Sequence, residues 1–169
     1  MIRIFLYRLL RCNRAGAAAE MVLVTPFLII LMFGSFELGN YFLSEHVVAK
    51  AVRDGARYAS RQPFTNFTCP SSVNSTIVTN TQNLTRTGQV ASGGTARLVG
   101  WTTPATVSVT MSCTTITGGN YSGIYKGMTN VPKVKVSAIV PYSSLFNNLG
   151  FTSRTLNLVS ESEATVQGI

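Results

Sequence analysis

A chain of 169 residues, 46% of them hydrophobic and only 12% charged, has room for one long helix and one domain of about 100 residues. Its net charge of +8 does not mark a nucleic-acid binder: four of the basic residues, Arg3, Arg8, Arg11 and Arg14, crowd the N-terminus. The rest are scattered, without the aromatic interleaving of a base-stacking surface. A single histidine, His46, argues against a metal cluster or a His-based triad, so neither an enzyme nor a cofactor is expected.

The basic leader is followed by the small residues Ala15-Gly-Ala-Ala-Ala19, then Glu20, then an uncharged apolar run up to Glu37. A secretory signal peptide carries its small-residue cleavage site after the apolar core. Here the small residues come first, on the side of the arginines. A peptidase cutting there would act at the cytoplasmic face and leave the apolar helix on the mature chain, which is the logic of a prepilin-type signal. The run between the two carboxylates is short against the roughly 20 apolar residues of a spanning helix. Residues 15–19 and 38–43 extend it, and the flanking arginines favour lipid over the alternative, a buried core helix. The positive-inside rule then puts residues 1–14 in the cytoplasm and everything after about residue 40 outside it, in a single-pass protein.

Glu20 sits where hydrocarbon begins. An ionised carboxylate costs about 2.5–3.5 kcal/mol at the centre of a spanning helix, but in a first turn the helix N-terminus favours it. If the chain is cut before Gly16, Glu20 becomes the fifth residue and can pair with a free α-amino group. The other reading is an interfacial residue facing headgroups.

The helix is expected to run from about residue 17 to 61, beyond the membrane. Leu38, Tyr41, Phe42, Val48, Val52, Ala56 and Ala59 recur at spacings near three and four, as one side of an amphipathic helix does. Lys50 and Asp54, and Asp54 and Arg57, stand at spacings that share a face. Pro26 interrupts the apolar part and should kink or locally unwind it. Lys50, Arg53, Arg57 and Arg61 form a basic stripe, either a solvated face or a grip for anionic headgroups or a partner's acidic face.

Residues 63–72 read as a loop that holds Cys69. Ser72 to Thr87 reads as a second helix ended by Gly88, and residues 88–104 as Gly-rich and irregular. Strand patterns follow: Ala105 to Ile116 with Val107, Val109, Met111 and Cys113 inward, and Val131 to Val140 with Val134, Val136 and Ala138 inward. Thr155 to Val166 is a third strand, with Leu156, Leu158 and Ala164 inward. Turns or loops are expected at 117–125 and 141–150. The architecture is therefore α+β: a long N-terminal transmembrane-plus-stalk helix packed on a small antiparallel sheet. Its parts are a leader at 1–15, an anchor and stalk at 16–62, and an exported head at 63–169. Cys12 belongs to the leader, whereas Cys69 and Cys113 make an even pair in the head. A disulfide is the natural reading in an oxidising compartment, with two free buried thiols as the alternative.

Other motifs carry less. Asn66, Asn74, Asn83 and Asn120 begin N-glycosylation sequons that chance explains in a chain this rich in Asn, Ser and Thr. The Gly-rich stretch 88–94 lacks the lysine of a phosphate loop. Glu161 and Glu163 share one face of a strand, where an exposed surface is the simpler reading than a paired-carboxylate site.

Three segments resemble the N-terminal signature of TadE-like proteins: Gly16-Ala-Ala-Ala-Glu-Met-Val-Leu-Val-Thr-Pro26, Phe33-Gly-Ser-Phe-Glu-Leu-Gly39 and Ala51-Val-Arg-Asp-Gly-Ala-Arg-Tyr-Ala59. The likeness covers residues 14 to 62, with Arg53, Gly55, Ala56, Arg57 and Tyr58 in its last box. It implies a minor pilin or pseudopilin of the bacterial tight-adherence pilus. Such a protein sits in the inner membrane with its C-terminal domain in the periplasm, and helps prime or cap a thin adhesion fibre. Implied partners are the membrane, a prepilin peptidase, other pilin subunits and the inner-membrane assembly platform, with no nucleic acid. Processing is placed at Ala15, Gly16 and Ala17. A cut after Ala15 makes Glu20 the fifth residue, whereas a cut after Gly16, the residue type the family places before its cut, makes it the fourth. In this picture Glu20 sets register between subunits. The alternative function is an unprocessed, membrane-anchored binding module whose Thr- and Asn-rich loops and Trp101 contact glycans.

Overall fold

The computed structural model describes residues 16–117, 123–146 and 156–169, and the chain divides into two compact units, Met1–Asn40 and Tyr41–Ile169. One helix, α1 (Gly16–Ser60), contributes to both. In the first unit the apolar residues of α1 from Met21 to Met32 are exposed. Its hydroxyls are satisfied internally: Thr25 Oγ1 donates to the Met21 carbonyl at 2.6 Å and Ser35 Oγ to the Leu31 carbonyl at 2.7 Å. Such back-bonding lets a hydroxyl sit among apolar side chains without an orphaned donor.

In the second unit the periodicity changes to a single buried stripe. Val48, Ala51, Val52, Ala56 and Ala59 are buried, three or four residues apart, as an amphipathic helix requires. Leu38 and Phe42, expected on the same side, are exposed. The stripe packs against an antiparallel sheet in the order β3-β4-β5, built from β3 (Val107–Thr115), β4 (Asn130–Pro141) and β5 (Asn157–Thr165). Val107, Val136, Ala138, Val140 and Leu158 supply the sheet's share of that core, closed by Trp101 and Tyr142. The alternating burial of β4 is that of a strand with one wet face, as antiparallel sheets allow. Leu156 departs from expectation: it is 51% exposed, because β5 begins one residue later at Asn157.

Two further elements complete the head. The segment expected to be a loop forms a short ribbon, β1 (Phe67–Thr68) against β2 (Ser72–Val73). That pairing delays the second helix, α2 (Ser75–Thr87), by three residues relative to the expected Ser72 start. Asn74 caps it, its side chain accepting from the Thr76 N–H at 2.9 Å. Gly88 ends it with φ 82, a left-handed conformation suited to glycine. The disulfide Cys69–Cys113, 44 residues apart in sequence, ties the ribbon to β3 beside a second core of Ala59, Phe67, Met111, Val134 and Val166. The loop expectations at 118–122 and 147–150 lie outside the described residues, as do the sequon at Asn120 and Thr155.

Candidate functional site

The first unit presents bare apolar surface. Leu23 is 71% exposed and Leu31 67%, and Met21, Phe27, Ile30 and Phe36 are also open. Among the described residues this is the one helix long and apolar enough to cross a membrane, with mean hydropathy 2.1 over its best window and none of that window buried. A contiguous apolar surface of this extent needs either lipid or other helices around it. Gly16, Ala18, Ala19 and Glu20 are exposed at its start, and Ala17 belongs to the same helix. Ala15 lies outside the described residues. Pro26 lies within the helix; lacking an N–H, it leaves the Val22 carbonyl without its usual partner.

The box at the other end of α1 divides by face. Gly55 and Ala56 point inward; Arg53 and Arg57 are exposed; Tyr58 is half-buried. Gly55 lies where α2 crosses α1, and a Cβ there would overlap Thr85 Oγ1. Thr85 is held in place, donating to the Thr81 carbonyl at 2.8 Å, and both threonines are fully buried. Tyr58 reaches the same helix, its hydroxyl accepting from Asn80 Nδ2 at 3.4 Å. The segment after β5 then clamps the helix end: the Gln167 N–H donates to the Ser60 carbonyl at 2.7 Å. The box is thus the joint that seats α1 on the head.

Asp54 does not pair along its own helix with Lys50 or Arg57. It accepts from Arg97 Nη1 at 3.1 Å, pinning the irregular segment between α2 and β3. Arg57 and Arg61 remain on an open surface with two shallow grooves. One, of about 360 Å³, lies between Arg53, Arg57 and Arg61 on one side and Ser162, Ala164 and Gln167 on the other. The second, about 300 Å³, is bounded by Arg57, Arg61, Asp54, Tyr58 and Gln62.

Other expected features fall elsewhere. Cys69 and Cys113 are joined, which settles the free-thiol alternative. Trp101 is 0% exposed, and its Nε1 donates to Thr106 Oγ1 at 2.8 Å. A tryptophan so enclosed has no face to stack on a sugar, so the glycan-binding alternative loses its aromatic platform. Asn83 is 8% exposed and donates to the Val90 carbonyl, which closes its sequon, whereas Asn74 is exposed and uses its side-chain oxygen as a helix cap. Glu161 and Glu163 lie on the wet face of the sheet. Glu161 takes Lys135 Nζ at 2.7 Å, and its hydrogen bond and charge raise Lys135 above the ordinary lysine range. Among the described residues, no group of three or more His, Cys, Asp and Glu side chains stands together as a metal site.

The family described as TadE-like protein matches residues 16–57, the apolar helix and the box as far as Arg57 but not the sheet. No curated protein and no solved structure matches the chain. The similarity to that family is thus confined to the segment that carries the exposed apolar surface and the α1 side of the α1–α2 joint.

Proposed function

We propose that this chain is a minor pilin or pseudopilin that takes part in assembling, priming or capping a thin bacterial adhesion pilus. The observation that carries the reading is the overlap of the TadE-like match with a helix whose N-terminal apolar stretch is open. Without a hydrophobic driving force in lipid, such helices associate through packing of small residues and side-chain relief. The exposed Gly16, Ala18 and Ala19, and the bulkier residues after them, supply that kind of surface for lateral contact with other pilin helices. In this account residues 1–15 are a cytoplasmic leader removed by a prepilin peptidase near Ala15, Gly16 or Ala17. Residues 16–62 anchor the chain in the inner membrane, and the head occupies the periplasm, where its disulfide persists.

Glu20 has the role of register. It is an exposed carboxylate one turn from the new N-terminus, where an α-amino group of its own or a neighbouring subunit can neutralise it. Pro26, by freeing one carbonyl, gives the helix a place to bend as it packs. The head, stapled by its disulfide, blocks or starts polymerisation.

The test is piliation in the source bacterium. Deleting the gene should remove or sharply reduce surface pili counted by electron microscopy, with restoration by the wild-type chain and not by Glu20→Ala. Normal pilus number in the deletion strain would rule the reading out.

A further inference from the structure

Arg53, Arg57 and Arg61 follow one another at four-residue intervals, and all are exposed. Helical geometry sets residues at that interval about 6 Å apart along one ridge. Like charges so placed destabilise a helix. The helix C-terminus favours cations at its end, which accounts for Arg57 in the last turn and Arg61 just past Ser60 but not for Arg53, two turns from the end. Nor does this chain answer the charges itself. Of its six acidic residues, Asp54 holds Arg97 at 3.1 Å and Glu161 holds Lys135 at 2.7 Å. Glu20 and Glu37 belong to the apolar part of α1. Glu45 and Glu163 remain, on different elements, and a second copy of the chain therefore offers no row of carboxylates to match the ridge.

We infer that Arg53, Arg57 and Arg61 form a docking ridge for an acidic segment of a different polypeptide, one that presents carboxylates at helical four-residue spacing. The ridge has relief on the scale of side chains. The groove on its β5 side has a floor of small residues, Ala56 and Ala164, with Ser162 and Gln167 as neutral hydrogen-bonding groups. The groove on the other flank offers Tyr58 and Gln62, and the Asp54 carboxylate that also lines it is already held by Arg97 at 3.1 Å. A planar headgroup surface would engage any exposed cation and has no use for flanking grooves. Arginine's fixed fork suits paired contacts to carboxylates. The inference goes beyond the pilus reading and does not depend on it, because it is tested by purified protein without pili.

The experiment uses the full chain in phosphatidylcholine nanodiscs and a fluorescent alanine-based helical peptide with glutamates every fourth residue. A second peptide of identical composition spreads its glutamates around the helix. Saturable binding of the first peptide should be reduced by salt and weakened on the order of tenfold in R53Q/R57Q/R61Q, with the second peptide binding less tightly. All three side chains are exposed, so the variant should melt with the wild type; if it folds poorly, the single change Arg53→Gln makes the same comparison. Equal binding of the two peptides, or unchanged binding by the variant, overturns the inference. Loss of peptide binding when phosphatidylglycerol replaces phosphatidylcholine would assign the ridge to lipid headgroups and overturn it as well.

Discussion

Gly55 on α1 meets Thr85 on α2 so closely that a Cβ at position 55 would overlap the threonine Oγ1. The contact explains why a glycine occupies a helix interior, where it is less favourable than alanine by about 1 kcal/mol. Gly55→Ala should therefore destabilise the head despite its better propensity, by about 1–3 kcal/mol as an overpacked core position. The second variant, Thr85→Ala, removes the obstructing hydroxyl, and the double variant should recover most of the loss. Thermal melts of the four proteins in detergent give the coupling; additive effects would mean that the two residues do not meet.

The disulfide should matter most to the ribbon that carries Cys69. Closing a 44-residue separation is worth about 4 kcal/mol in the chain-entropy account. Cys69→Ser with Cys113→Ser, or reduction of the wild type, should lower the denaturant midpoint substantially, measured by far-UV circular dichroism. A midpoint that does not move would show that the bridge contributes nothing to stability.

Trp101 is the chain's one tryptophan and is fully enclosed by the core. Its emission should be blue-shifted in the native protein, resist iodide quenching, and shift red on unfolding. Trp101→Ala should cost about 3–5 kcal/mol, as expected for removing a buried aromatic side chain. Ready quenching in the folded protein would place the ring at the surface and restore the glycan-contact alternative.

The Lys135–Glu161 pair gives a pH signature. The hydrogen bond and charge of Glu161 raise the lysine's pKa. The pair's contribution is fully present below the ordinary lysine range, near 10.4, and is lost as pH rises through the raised value. The pair is exposed, so the effect is small. Melting temperatures of wild type and Glu161→Gln should differ slightly at neutral pH and converge at strongly alkaline pH. A difference that grows with alkalinity would have the wrong sign.

Much of this architecture was legible in the sequence wherever a period was carried by apolar residues. Val48 to Ala59 gave the buried helix face, Val134 to Ala138 the central strand, and the lone pair of exported cysteines the bridge. The buried face of α2 is instead Ile77 with Thr81, Asn83 and Thr85. A polar face of that kind has no apolar period, and Ser72 looked like helix until it paired with Thr68. Contacts between distant segments were out of reach for a different reason. Asp54 has same-helix partners at favourable spacing, yet it holds Arg97, 43 residues away, because only the folded head brings that arginine within range. Trp101, in a stretch that reads as Gly-rich and irregular, is buried in one core with Val107 and the stalk part of the helix. In the TadE-like box, the motif was visible but its division into inward Gly55 and Ala56 and outward Arg53 and Arg57 needed the position of α2.

The central claim, that the chain is processed as a pilin and keeps its apolar helix, is tested most directly by the mature N-terminus. Intact mass and N-terminal peptide sequencing of protein from native membranes should find a chain that starts at Gly16 or Ala17, which would also fix Glu20 as the fifth or the fourth residue. A chain that starts at Met1 would contradict the account and leave an unprocessed membrane-anchored protein in its place.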